Sequence, residues 1–220
     1  MIQQNTLRFL KDLGNNNNKA WFDQHRKNYE SAREDFLLGV TRLIQSTGEI
    51  DAAIGNLFAK DCIFRINRDV RFSKDKRPYK NNMACYFNKN GKKGNGAGYY
   101  LHIEPGKSFA GGGIWMPMAP ELAKIRQEID YSFAEWKQLI GNPVFQKHFT
   151  KGITADAVLT RPPKGYDENN PAINFIKMKS FTVGKSFSDD EVLKPSFIKK
   201  VTATFGAMKP MIDFLNKAVD

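Results

Sequence analysis

The run from Gly98 to Trp115 constrains this chain more than any other. Tyr99-Tyr100-Leu101-His102-Ile103 leads into Glu104-Pro105-Gly106-Lys107, and Ser108-Phe109-Ala110-Gly111-Gly112-Gly113-Ile114-Trp115 returns. Proline followed by glycine suits the two central positions of a type II turn, the second of which needs a positive φ. The segment therefore predicts a β-hairpin whose second arm is softened by glycine. An antiparallel pair sits at the centre of the chain, and everything else is read as what surrounds it.

Before the hairpin the apolar spacing is helical. Leu7, Leu10 and Leu13 mark a first helix, and Gly14 with Asn15 to Asn18 stops it. Asn18 predicts the N-cap of a long helix that Gly48 closes. Trp21, His25, Tyr29, Ala32, Phe36, Val40, Leu43 and Thr47 form its buried stripe, widened by Phe22, Leu37 and Ile44. On that stripe His25 reads as a packed histidine. Cys62 to Ile66, Met83 to Phe87 and Phe181 to Gly184 predict three further strands.

After the hairpin, Pro120 opens a helix holding Leu122, Ile125 and Ile129, and Asn142-Pro143 begins a shorter one. Ser132 to Glu135 and Ser188 to Glu191 both have capping-box form. A C-terminal helical region follows, which Pro195 and Pro210 should divide or kink. Arg161 to Tyr166 and Lys89 to Gly96 predict loops. Helices, then strands, then helices give an α+β class: one globular domain over 1–220, with a central antiparallel or mixed sheet and N- and C-terminal helices packed on it.

The two cysteines, Cys62 and Cys85, lie in apolar contexts without close Cys or His partners, so they read as reduced, buried thiols. The start of the chain has no basic, apolar leader, and no apolar run approaches the ~20 residues of a membrane span. A cytoplasmic protein without a membrane partner is expected.

Charge is where function enters. The net +11 is concentrated: ten Lys or Arg face only Asp69 and Asp75 between Arg65 and Lys93, a net +8 in 29 residues. Positive charge gathered in one place attracts anions. Its densest part is Arg65-Ile66-Asn67-Arg68-Asp69-Val70-Arg71-Phe72-Ser73-Lys74-Asp75-Lys76-Arg77-Pro78-Tyr79-Lys80. If extended, it puts Arg65, Asp69 and Arg71 on one face, and Arg68 on the other unless a turn intervenes. Two architectures fit. One is a buried ion-pair hub in which an arginine holds Asp69 bidentately. The other is an anion pocket in which Asp69 orients arginines toward phosphate or carboxylate.

Arg65-x-x-Arg68-Asp69-x-Arg71-Phe72, followed by Asp75-Lys76 and Tyr79, resembles the signature of the mainly bacterial domain of unknown function 2461 family. Trp21-Phe22, Tyr99 to Ile103, Gly111 to Trp115 and Pro163-Lys164-Gly165-Tyr166 resemble its landmarks along nearly the whole chain. The resemblance implies one globular unit and supplies no reaction.

The expected ligand-binding residues are Arg65, Arg68, Asp69, Arg71, Lys76 and Tyr79, with Asp69 and His102 the acid/base candidates. His102 and Glu104 share a strand face and flank the pocket as a base or ligand pair, but three histidines in all argue against a metal site. Neither metal nor cofactor is expected. Gly111 to Gly113 reads as a bend in the sheet rather than a phosphate loop. The leading reading is a protein that binds a phosphate-bearing anion, with nucleic acid the first candidate and Tyr79, Tyr99 or Trp115 as stacking surfaces. The alternatives are an enzyme that clamps a phosphorylated or carboxylated substrate with arginines, and a structural or protein-interaction domain.

Overall fold

A computed structural model describes residues 2–89 and 91–220. Met1 and Asn90, the latter inside the loop expected over 89–96, lie outside the described residues. The fold is α+β: a four-stranded antiparallel sheet in the order β1-β2-β3-β4, with helices at both ends of the chain. The strands are β1 (Met83–Phe87), β2 (Gly98–Ile103), β3 (Ser108–Ile114) and β4 (Phe181–Phe187). The chain divides into two compact units. The first comprises Met1–Gly94, Tyr100–Ala110 and Ser186–Ala203; the second comprises Asn95–Tyr99, Gly111–Lys185 and Thr204–Asp220.

In the first unit, α1 (Gln4–Asn15) buries Leu7, Phe9, Leu10 and Leu13 on one face. The Asp35 carboxylate holds its start, accepting from the Gln3 N–H at 2.9 Å and the Thr6 hydroxyl at 2.6 Å. Asn18 caps α2 (Lys19–Gln24), its Oδ1 accepting from Trp21 N–H at 3.0 Å. The long helix expected from Asn18 to Gly48 is broken at His25, from which α3 (Arg26–Gly48) restarts. At the break the His25 Nδ1 pairs with the Trp21 carbonyl at 2.8 Å, and its ring stacks on Trp21 with centroids 4.0 Å apart. Beyond it, Phe36, Val40, Leu43 and Ile44 fill the core, each worth about 1.5–3 kcal/mol of burial.

The expected strand from Cys62 to Ile66 does not form as such. Ala59–Cys62 is a helical turn, α4, closed by the Ile63 N–H on the Ala59 carbonyl. Only Ile63 then bridges to Cys85, with Phe64 N–H donating to the Ala84 carbonyl at 2.9 Å. The short apolar run serves a helical turn and one bridge in succession. Downstream, Lys107 N–H donates to the Glu104 carbonyl at 2.9 Å and Gly106 has φ 74°, as the type II turn requires. Ser188 forms its capping box at α9 (Asp189–Leu193), with Glu191 N–H on Ser188 Oγ and Ser188 N–H on Glu191 Oε2.

The second unit is built on Trp136, which is fully buried among Phe175, Phe181 and Phe214. It holds α5 (Ala119–Tyr131), α6 (Phe133–Ile140), α7 (Pro143–His148) and α8 (Ile173–Ile176). Asn142 caps α7, accepting from Val144 N–H at 2.8 Å. The second expected capping box fails: the Ser132 hydroxyl donates backward to Glu128 Oε1 at 3.0 Å and caps nothing. Glycine at 112 and 113 is a packing requirement. A Cβ on Gly112 would sit 2.3 Å from Met208 Sδ, and one on Gly113, at φ 119°, would sit 2.0 Å from the Phe181 carbonyl oxygen. The last helix, α10 (Phe197–Val219), starts after Pro195 and runs on through Pro210.

Candidate anion-binding site

All residues of the site lie in the first unit. The basic segment is a narrow ladder that opens into a loop. Arg68 N–H donates to the Pro78 carbonyl at 2.9 Å, Lys80 N–H donates to the Ile66 carbonyl at 2.8 Å, and Asn67 bridges to Tyr79. Residues 69–77 loop out between these arms. The base is fixed from outside: Asn17 exchanges two hydrogen bonds with the Tyr79 backbone, and the Tyr79 ring stacks on Phe22 with centroids 4.0 Å apart.

Within the loop, acids consume arginines. Arg71 holds Asp69 bidentately, Nε to Oδ1 at 3.0 Å and an Nη to Oδ2 at 2.6 Å. Arg77 grips Asp75 in the same way, and Arg68 adds a third bond to Asp75 at 2.6 Å. The Arg71 guanidinium, with its backbone N–H, lowers the Asp69 carboxyl, and Arg77 holds Asp75 well below the usual carboxylate range. These pairs lie at the surface, where solvent screens them. The bidentate arginine expected for a hub is present at Asp69, but the hub is exposed.

Two hollows open beside the ladder. The first, of about 460 Å³, is lined by Phe64, Arg68, Asp69, Lys80, Asn82, Ala84, Tyr100 and His102. The second, of about 260 Å³, brings together Arg33 from α3, Lys60 from α4, Arg65 and Lys92, with Tyr29 and Ile66 among its other walls. Phe64 and Asn82 line both, so the hollows adjoin. No acidic side chain lines the second, and none of its four cations has an ion-pair partner among the described residues. Lys80 and Lys92 are held by backbone carbonyls instead, at Arg65 (2.9 Å) and Ile63 (2.6 Å), and each ammonium lies about 5.5 Å from the Phe64 ring centre. Burial, with Arg65 and Lys92 nearby, lowers the pKa of Lys80. Burial is the larger cause, and the neighbouring cations add to it.

Strand β2 supplies the rest of the first hollow. Its odd-numbered residues Tyr99, Leu101 and Ile103 are buried, while Tyr100 and His102 are partly exposed on the opposite face. His102 Nδ1 lies 3.0 Å from the Tyr100 hydroxyl, and its Nε2 lies 2.8 Å from Glu104 Oε2. Asn81 donates to Glu104 Oε1 at 3.1 Å, and the His102 ring stacks against Phe109. Burial pushes the Tyr100 phenol up to about 12, with Cys85 and Glu104 adding to it.

Of the expected site residues, Arg68, Asp69 and His102 meet in the first hollow and Arg65 lines the second. Arg71 and Lys76 are exposed outside both, Lys76 donating to the Val70 carbonyl at 3.0 Å. Tyr79, at 7% exposure, is core, as is Tyr99 at 0%; neither ring is free to stack on a base. Trp115 is 69% exposed in the second unit, its indole N–H donating to Asp156. Sequence reasoning missed Arg33, Lys60, Phe64 and Tyr100. Only Tyr100 had a signal, since the alternation that pairs His102 with Glu104 extends to it. Among the described residues, no group of three His, Cys, Asp or Glu side chains is placed to hold a metal ion.

The model of one family, conserved hypothetical protein DUF2461, matches residues 5–214. The chain belongs to the DUF2461 family. The matched span holds every residue of the two hollows. No curated protein and no solved structure matches the chain.

Proposed function

We propose that this DUF2461 protein binds a phosphate-bearing anion in the two adjoining hollows. The observation that carries the reading is the second hollow: Arg33, Lys60, Arg65 and Lys92 converge on it with no carboxylate among its walls. Like charges brought together repel, and a ligand of opposite charge relieves the repulsion. Lys80 and Arg68, the latter already paired with Asp75, continue the lining past Phe64, where the Asp69 carboxylate also stands. A ligand with more than one phosphate, above all a nucleic-acid strand, fits six cations spread over two hollows with an aromatic ring between them. Two free, buried thiols suit a reducing compartment, and we place the protein in the cytoplasm.

The test is fluorescence anisotropy with short labelled single- and double-stranded DNA and RNA at two salt concentrations, with a folded Arg33→Ala/Arg65→Ala variant alongside. Saturable, salt-sensitive binding that the variant loses supports the reading. Flat curves at low salt, with pyrophosphate also failing to bind by calorimetry, overturn it.

A further inference from the structure

We propose that Tyr100, His102 and Glu104 form a proton relay that makes the first hollow a catalytic site for phosphate-ester hydrolysis, with Tyr100 the catalytic residue and His102 and Glu104 positioning residues behind it. The inference rests on the anion-binding reading and adds a reaction to it. Tyr100 and His102 share the face of β2 opposite the buried Tyr99, Leu101 and Ile103, and Glu104, at the start of the turn that follows, continues the row. Both contacts along the row are at hydrogen-bond distance, 3.0 Å and 2.8 Å.

The far end of the row is anchored. Glu104 sits at the type II turn, where its N–H donates to Ser108 Oγ at 3.2 Å and the Ser108 hydroxyl donates to its carbonyl at 3.0 Å. Its second carboxylate oxygen is engaged by Asn81. With Glu104 ionised, the imidazole proton belongs on Nε2, and Nδ1 is left to accept from the Tyr100 O–H. The near end of the row opens on the hollow that Arg68 and Lys80 line.

The chemistry follows from this polarity. Tyr100 keeps its proton at neutral pH, as an ordinary phenol does, and burial holds it more firmly. It therefore works as a conduit and not as a standing nucleophile. A water in the hollow gives a proton to Tyr100 Oη as the Tyr100 proton moves to His102 Nδ1, and Glu104 stabilises the imidazolium. The hydroxide oxygen forms its bond to phosphorus while the bond from phosphorus to the leaving oxygen breaks. The leaving oxygen takes a proton from solvent, and the relay returns its own proton to solvent. The net change is one ester and one water converted to one alcohol and one phosphate. Arg68 and Lys80 stabilise the charge that builds on the phosphoryl oxygens.

The experiment uses the full chain with p-nitrophenyl phosphate and bis(p-nitrophenyl) phosphate, which need no proton on the leaving oxygen. The wild type should release p-nitrophenol. Tyr100→Phe should lower kcat by about a hundredfold or more with KM within about twofold. His102→Gln should lower kcat with KM within about twofold, whereas loss of a merely structural contact would leave kcat in place. Release from neither ester, or equal release by wild type and Tyr100→Phe prepared in parallel, overturns the relay. Nitrogen NMR of His102 in the wild type gives a measurement independent of any variant's folding: an Nε2–H tautomer supports the relay, and an Nδ1–H tautomer overturns it. Calorimetry with pyrophosphate separates the two readings. Binding without release sinks the relay alone, whereas absence of binding sinks the anion site beneath it.

Discussion

Asn17 and Tyr79 meet across 62 positions of chain as two strand edges would: Asn17 Nδ2 donates to the Tyr79 carbonyl at 2.9 Å, and Tyr79 N–H donates to Asn17 Oδ1 at 3.0 Å. The pair fixes the returning arm of the basic ladder to the turn between α1 and α2. The loop therefore has a rigid base and an exposed tip, where Phe72 is 96% exposed. Asn17→Ala leaves both Tyr79 backbone groups without this partner, at a cost of about 1–3 kcal/mol. Urea denaturation should show that loss. Tryptic cleavage between Arg71 and Arg77 should accelerate in the variant, and an unchanged cleavage rate would mean that Asn17 does not hold the ladder.

The second hollow predicts which cations matter. Arg65→Ala and Lys92→Ala should each weaken binding of a phosphate-bearing ligand. Lys74→Ala, at the loop tip and outside both hollows, should not. With about four to six phosphate contacts, the slope of log affinity against log salt for single strands should lie near about −3 to −4. Each alanine in the hollow should make that slope shallower by roughly 0.7. Equal effects from all three substitutions would point to a diffuse surface attraction.

Alkaline stability follows from acids whose pKa burial raises. Burial raises the Cys62 thiol from 9.0 to about 11, and the Tyr86 and Tyr100 phenols from 10.0 to about 12. The folded chain holds these protons longer than the unfolded one. Their contribution is complete below pH 9.0 and is lost as pH rises from there through about 12. Thermal denaturation should show Tm falling across that window, and Tyr100→Phe should flatten the part above 10.0. A Tm that rises with pH there would contradict the assignment.

Two glycines with positive φ separate conformation from packing. Gly106 has φ 74° and open space where a Cβ would go, so Gly106→Ala should cost about 1–2 kcal/mol of backbone strain. Gly113 has φ 119° and would drive its Cβ into the Phe181 carbonyl, so Gly113→Ala should cost clearly more than Gly106→Ala. Paired denaturation curves check the order, and equal losses would refute the packing role.

Regular elements were legible where local chemistry decided them. The Pro-Gly turn, the Asn18 and Ser188 caps and the strands beside them needed nothing from elsewhere in the chain. Legibility failed where a partner outbid the local pattern. Ser132 carries the same motif as Ser188, but Glu128 on the preceding helix takes its hydroxyl. Cys62 to Ile66 is too short for periodicity to tell a helical turn from a strand. At the site, charge density found Arg65, Arg68 and Asp69. It could not find Arg33 or Lys60, which lie outside the basic segment and are brought to Arg65 by α3 and α4. Strict alternation also fails beyond Arg68, where the ladder ends and the loop begins, which is how Arg68 and Asp69 come to line one hollow.

The most direct test of the anion site is an NMR titration of the isotope-labelled chain with pyrophosphate, following arginine and lysine side-chain signals. The account predicts saturable shifts concentrated on Arg33, Lys60, Arg65, Lys80 and Lys92, with Lys74 unmoved. Shifts confined to the loop tip, or no saturable shift at all, would contradict it.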